Sequence, residues 1–195
     1  MSGPMMDAPV VAPSARPPIE ARAVVDFWRN AGADLWFAKH AAFDRRFRDR
    51  FLTWHEAAAR GELAAWSASA EGALALVLLL DQFPRNAFRG TPRMYATDAL
   101  ARRVAAAALE ARHDREVPPD LRLFLYLPFG HSEDPGDQER SVALCRGLGE
   151  PNASHARRHR DIVRRFGRFP HRNPILGRAM TPEERRYLDE GGYAG

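Results

Sequence analysis

The chain is predicted to be all-α, built from paired antiparallel helices. Three observations predict this class. No stretch alternates apolar and polar residues for the length of a strand. Phe43, Phe47, Phe51 and Trp54 recur every three or four positions, which lines one face of a helix. The run Ala73–Leu80 (ALALVLLL) is apolar with no polar side, so other helices must surround it.

The elements follow in order. Residues 1–18 are rich in Pro, Ala and Ser without periodicity, and are expected to be a disordered leader. Residues 19–195 are expected to form a single all-helical domain. A first helix runs from Ile19 to about Asn30 and is stopped by Gly32; the aromatic-striped helix follows and ends at Gly61. Ser67 or Ser69 is the expected N-cap of the central helix, 70–83, which Pro84 closes. Thr91-Pro92 opens an alanine-rich helix to about Arg112. Pro118-Pro119 opens a short one, closed by Pro128 and Gly130. Further helices are expected over 135–148 and 153–166, the second ended by Gly167. Pro170 and Pro174 predict an extended path for 168–178. Thr181-Pro182-Glu183-Glu184 is a capping box for the last helix. The count comes to about eight helices.

Composition narrows the functional classes. The 195 residues carry a net charge of +4, and Lys39 is the only lysine, so nearly every cation is an arginine, suited to bidentate pairing with carboxylate or phosphate. Cys145 is the only cysteine and sits in an apolar patch, which excludes an intrachain disulfide and suggests packing. The chain shows no secretory signal pattern and no apolar run near the ~20 residues of a membrane span, so a cytoplasmic location and no membrane partner are expected.

Three polar segments interrupt this apolar framework at helix ends. They are Asp81-Gln82-Phe83-Pro84-Arg85-Asn86 with Arg89; His131-Ser132-Glu133-Asp134; and His159 with Arg165, Arg168, His171, Arg172, Asn173 and Arg178. Helix ends and loops on a rigid scaffold are where chemistry converges. Asp81 follows the most apolar run, so its charge needs a buried partner. His131 beside Glu133 is a candidate acid–base pair. The arginines and Asn173 on a proline-punctuated loop suit an anion, although acids able to pair with them internally are also present. His131, Glu133, His159 and His171 are residue types that ligate zinc, but they lack a metal-site spacing, and no metal is assigned. The basic 157–168 stretch lacks stacking aromatics on one face, which makes nucleic acid an unexpected partner.

Together these segments resemble the bacterial family called domain of unknown function 924. The resemblance rests on Asp81–Asn86 with Phe88-Arg89-Gly90, on His131-Ser132-Glu133, on His159, and on Arg165–Asn173 with Leu176-Gly177-Arg178. Trp36-Phe37 and Thr181–Glu184 extend it, and it covers about 24–190 in order. Met180 stands where the family suggests a small or polar residue. The resemblance implies an all-α fold similar to tetratricopeptide-like arrays, and no established activity or cofactor.

Two readings follow from the sequence. In the first, a small anionic ligand is held where the three segments meet. Arg85, Arg168 and Arg172 bind it, His131 and Glu133 are the catalytic candidates, and Asp81 orients an arginine. Asn86, Arg89, His159, Arg165, His171, Asn173 and Arg178 complete the candidate lining. In the second, the chain is a tetratricopeptide-like interaction module that takes a protein segment, and the same residues are structural struts.

Overall fold

The run at 73–80 becomes the axis around which the other helices pack. The computed structural model describes residues 18–195; the leader expected over 1–18 lies outside them, apart from Pro18, which precedes the first helix. Among the described residues there is no strand, and ten α-helical segments follow one another. They are α1 (Ile19–Ala31), α2 (Ala33–Trp36), α3 (Ala41–Ala59), α4 (Ala70–Val77), α5 (Phe83–Ala87), α6 (Asp98–Glu110), α7 (Arg122–Gly130), α8 (Pro135–Arg146), α9 (Asn152–Phe166) and α10 (Pro182–Asp189). The excess over about eight has two causes. Residues Ala33–Trp36 make one turn of their own, and the central helix is divided in two.

That division is a correction to the expected stop at Pro84. Between α4 and α5 the chain makes a π-helical turn, Leu78–Gln82, and the helix continues through Pro84 to Ala87. Proline has no N–H and its ring crowds the carbonyl four residues back, so an α-helix cannot pass it unaltered. The wider π turn relieves the crowding. Phe83 N–H then reaches back to the Leu78 carbonyl. Side chains also donate to carbonyls of this turn. His55 Nδ1 donates to Leu79 O at 2.8 Å, Thr97 Oγ1 to Leu80 O, and Arg85 Nη1 to Asp81 O at 2.8 Å.

Helix α4 starts where Ser69 Oγ accepts the Gly72 N–H. Gly72 is required there: a Cβ would lie 2.0 Å from the Trp66 carbonyl oxygen. Helices α1, α6 and α7 pack on α4, α3 packs on the π turn and α5, and α7, α8 and α9 stack in succession. The main core joins Leu74, Leu78, Leu79 and Leu80 to Trp28, Phe43, Phe47, Phe51, Phe83 and Phe124. Truncating any one of those leucines to Ala costs about 2–5 kcal/mol. A second, smaller core of Ile162, Val163 and Phe169, with Phe166, Tyr187 and Tyr193 against it, lies between α9 and α10.

Other boundaries differ from expectation. Thr91-Pro92 opens only a 3-10 turn, and α6 begins at Asp98. Pro128 lies inside α7 instead of closing it. Residues 168–178 are not extended: Pro170–Arg172 form a 3-10 turn and the chain coils on through 177. Gly167 ends α9 in the left-handed conformation, and the Thr181–Glu184 capping box is present with both of its hydrogen bonds.

Candidate functional site

Asp81 leaves the π turn fully buried, and its carboxylate is met from three sides. Gln82 Nε2 donates at 2.6 Å, Arg85 Nη1 lies 3.2 Å away, and His131 Nδ1 is bonded at 2.8 Å. Burial alone would raise the Asp81 pKa; Arg85 and His131 outweigh it and hold the carboxyl below the usual range. An ionised carboxylate only accepts, so His131 Nδ1 carries the proton and Nε2 the lone pair. The His131 side chain is 14% exposed, and among the described residues Nε2 has no hydrogen-bond partner. His131 caps the C-terminal end of α7. That end is fixed by buried Gln138, whose amide donates to the carbonyls of Gly130 and Ser132 at 2.9 and 2.6 Å.

Arg85 also closes a bidentate pair with Asp98 at the start of α6, at 2.8 and 3.0 Å. Burial disfavours its charge, but Asp81 and Asp98 together raise its pKa above the ordinary value. Arg172 is different. It is 7% exposed, wedged between the rings of Tyr95 and Phe169, each 4.6 Å from its guanidinium carbon. Its Nη2 donates to the His131 carbonyl at 2.9 Å, its Nη1 stands 3.5 Å from the already occupied Asp98, and its Nε has no partner. Burial, and then Arg85 beside it, lower its pKa.

The loop that carries Arg172 is pinned by two buckles. Glu133 accepts the Phe169 N–H at 2.8 Å and both Arg178 Nη groups at 2.7 and 3.0 Å. Both Glu133 oxygens are thus engaged, which fits a strut and leaves the acid–base candidacy to His131. Glu184 takes Arg168 at 2.6 and 2.9 Å and the Thr181 N–H at 2.8 Å; these bonds hold its carboxyl at about 2. Buried Asn173 donates to Met180 Sδ at 3.5 Å, so the methionine supplies a weak acceptor where a small or polar residue was expected.

His159 and His171 complete the cluster. The His159 ring lies 6.5 Å from that of His131 and 5.4 Å from Phe169; His171 lies 5.7 Å from Phe169. Burial pushes both imidazoles down, with a neighbouring cation or imidazole adding to it, to about 3 for His159 and about 4 for His171. Both are therefore neutral near pH 7. Among the described residues, four buried polar atoms without partners fall in this one loop: His171 Nδ1, Arg172 Nε, Asn173 Oδ1 and Arg178 Nε.

The candidates thus divide. Asp81, Arg85, His131, His159, His171 and Arg172 converge, with Arg178 held beside them by Glu133. Asn86 and Arg89 instead bind Asp44 at the start of α3, each at 2.7 Å, and Arg165 makes an exposed pair with Glu183. On α9, Arg157, Arg160 and Arg164 pair with Glu150, Asp161 and Glu139. Among the described residues no three His, Cys, Asp or Glu side chains form a group able to hold a metal ion. No helix among them is long and apolar enough to cross a membrane. Sequence reasoning missed Tyr95, Asp98 and Tyr193. Nothing local marks Asp98, whose role depends on α6 packing beside the π turn.

An all-α framework enclosing a buried Asp–His–Arg cluster is the class of protein that fold and site define. A family model described as bacterial protein of unknown function (DUF924) matches residues 24–192, and the chain belongs to that family. A solved structure, that of the protein of unknown function ATU0120 from Agrobacterium tumefaciens, is 59% identical to the chain. It matches with a TM-score of 0.87 over 88% of this chain and 98% of that one. No curated protein matches the chain.

Proposed function

We propose that the chain binds a small anionic ligand at Arg172, beside His131, and that His131 Nε2 accepts a proton from it or from water held next to it. One observation carries the reading: among the described residues, the nearest carboxylate to the buried Arg172 guanidinium is Asp98, at 3.5 Å and already held bidentately by Arg85, and Arg172 Nε has no hydrogen-bond partner. Asp98 is taken bidentately by Arg85, Glu133 by Arg178, and Asp81 by Arg85 and His131. A buried donor left unpaired costs about 1–3 kcal/mol, and an anion received by Arg172 would recover part of that cost. The buried Asp81 supports the second half of the reading, because it fixes the ring and the tautomer of His131.

Titration calorimetry with sodium acetate and inorganic phosphate tests the proposal. Binding is expected in the unaltered chain and its loss in Arg172→Gln, with His131→Ala folded but weakened. Equal affinities for the unaltered chain and Arg172→Gln would sink it. A ligand at 100 times its Kd also raises stability by about 2.7 kcal/mol, visible as a higher Tm.

The interaction-module reading has a separate support. Shallow concavities of about 530 and 400 Å³ run along α10, both lined by Met180, Arg185 and Asp189; Arg178 reaches the wall of the second, and no histidine lines either. A protein segment seated there would lose affinity on Arg185→Glu, a substitution that leaves anion binding at Arg172 unchanged.

A further inference from the structure

The segment that follows α10 turns back over the histidine cluster. Gly191, with φ +83°, makes the turn. Gly192 lies so close to Tyr187 that a Cβ would stand 2.4 Å from its carbonyl oxygen. The ring of Tyr193 then settles 4.8 Å from His159 and 5.1 Å from His171, and the Arg158 guanidinium stands 5.5 Å from it. Gly195 packs closely against His171: a Cβ there would be 3.0 Å from the imidazole Cδ2.

The two ends of this segment are held differently. Toward α10, Gly192 N–H donates to the Tyr187 carbonyl at 2.9 Å and Tyr193 N–H to the Tyr187 hydroxyl at 3.0 Å. Toward the cluster, the contacts are between rings, and among the described residues no hydrogen bond joins 193–195 to His159 or His171. A side held by ring packing alone opens at a lower free energy than one held by hydrogen bonds.

We propose that residues 192–195 are a latch over His159 and His171, which lifts to admit an anion to Arg172. The latch rests on the packing of Tyr193; only its purpose rests on the binding reading above. In the latched state Tyr193 covers one side of both imidazoles, which are each half-buried.

Acylation by diethyl pyrocarbonate, followed residue by residue by peptide mass spectrometry, reads the latch without any ligand. The reagent attacks neutral imidazole. His55, packed on Phe83 in the main core with its ring bonded to Leu79 O, is the internal reference. In Tyr193→Ala, His159 and His171 are expected to react about ten-fold faster or more, while His55 stays slow. Unchanged rates at His159 and His171 would overturn the latch. If His55 accelerates as well, the variant has loosened throughout, and Arg158→Ala decides, since it removes only the cation beside Tyr193. A rise confined to His159 and His171 supports the latch, and no rise overturns it. Sodium acetate titrated into the same proteins separates the two proposals. Faster histidines with no acetate binding in either protein would leave the latch and remove the binding reading. Acetate binding with unchanged histidine rates would do the reverse.

Discussion

Asp81 keeps its charge without any contact with water because Gln82, Arg85 and His131 surround it. Removing one member of such a buried group leaves the others uncompensated. Asp81→Asn is therefore expected to cost about 3–5 kcal/mol in a denaturant titration. It should also lower the His131 pKa further, read by NMR, because the carboxylate is what offsets burial and Arg85 there. His131→Ala is expected to cost less. It leaves Asp81 paired with Arg85 and keeps the backbone carbonyl that Arg172 uses. The sequence showed that Asp81 needed a partner, since a carboxylate at the end of eight apolar residues has no local solution. It did not show which partner. Arg85, one turn on, was visible as a neighbour; His131 stands 50 positions away and Asp98 takes the far side of Arg85. Partner choice is a property of packing. The same holds for Arg89 with Asp44 and Arg168 with Glu184.

At the scale of elements, features decided within a few residues were legible and those decided across the chain were not. The aromatic stripe of α3, the Ser69 cap, the Gly167 stop and the Thr181–Glu184 box all follow from neighbours one to four positions apart. Pro84 failed as a stop because the π turn relieves its crowding, and the side chains of His55 and Thr97 donate to carbonyls of that turn. Those donors lie outside any local window. Thr97→Val tests this directly. It keeps the side-chain shape but leaves the Leu80 carbonyl without that donor, so a loss of about 1–3 kcal/mol is expected. An unchanged Tm would mean that the π turn does not depend on Thr97. The π turn also shifts the helix by about one residue in phase. Periodicity carried straight through 70–87 therefore points Arg85 and Asn86 in the wrong direction.

The whole molecule carries its histidine charge state into its stability. Burial is the first cause that lowers His55, His131, His159 and His171 below the ordinary imidazole value. Below about pH 6.5 the unfolded chain takes up more protons there than the native chain does, so stability falls as pH falls. Each such histidine contributes at most about 1.4 kcal/mol per pH unit until its native value is reached. For His171 and His159 those values are about 4 and about 3. Thermal unfolding followed from pH 7 to 4 should show this decline. His159→Gln and His171→Gln should each flatten it; an identical slope in both variants would remove these histidines as its cause. The carboxylates Asp81 and Glu133, held low by their cations, add their loss only at more acid pH.

The division of the interior into a large core and a small one has a kinetic meaning. The small core is three buried side chains with a few partly buried ones against them, and α10 meets the rest of the chain mainly through the turn at Pro170–Arg172. Such a region opens at a lower free energy than the rod at 70–87. Amide hydrogen exchange should therefore find α10 and the turn before it exchanging orders of magnitude sooner than α4. The seam between the two units passes through Glu133, Phe169 and Arg178. A molecule bound at Arg172 would bridge that seam. Its binding should appear as slowed exchange in α10, with the amides of α4 already at their limit.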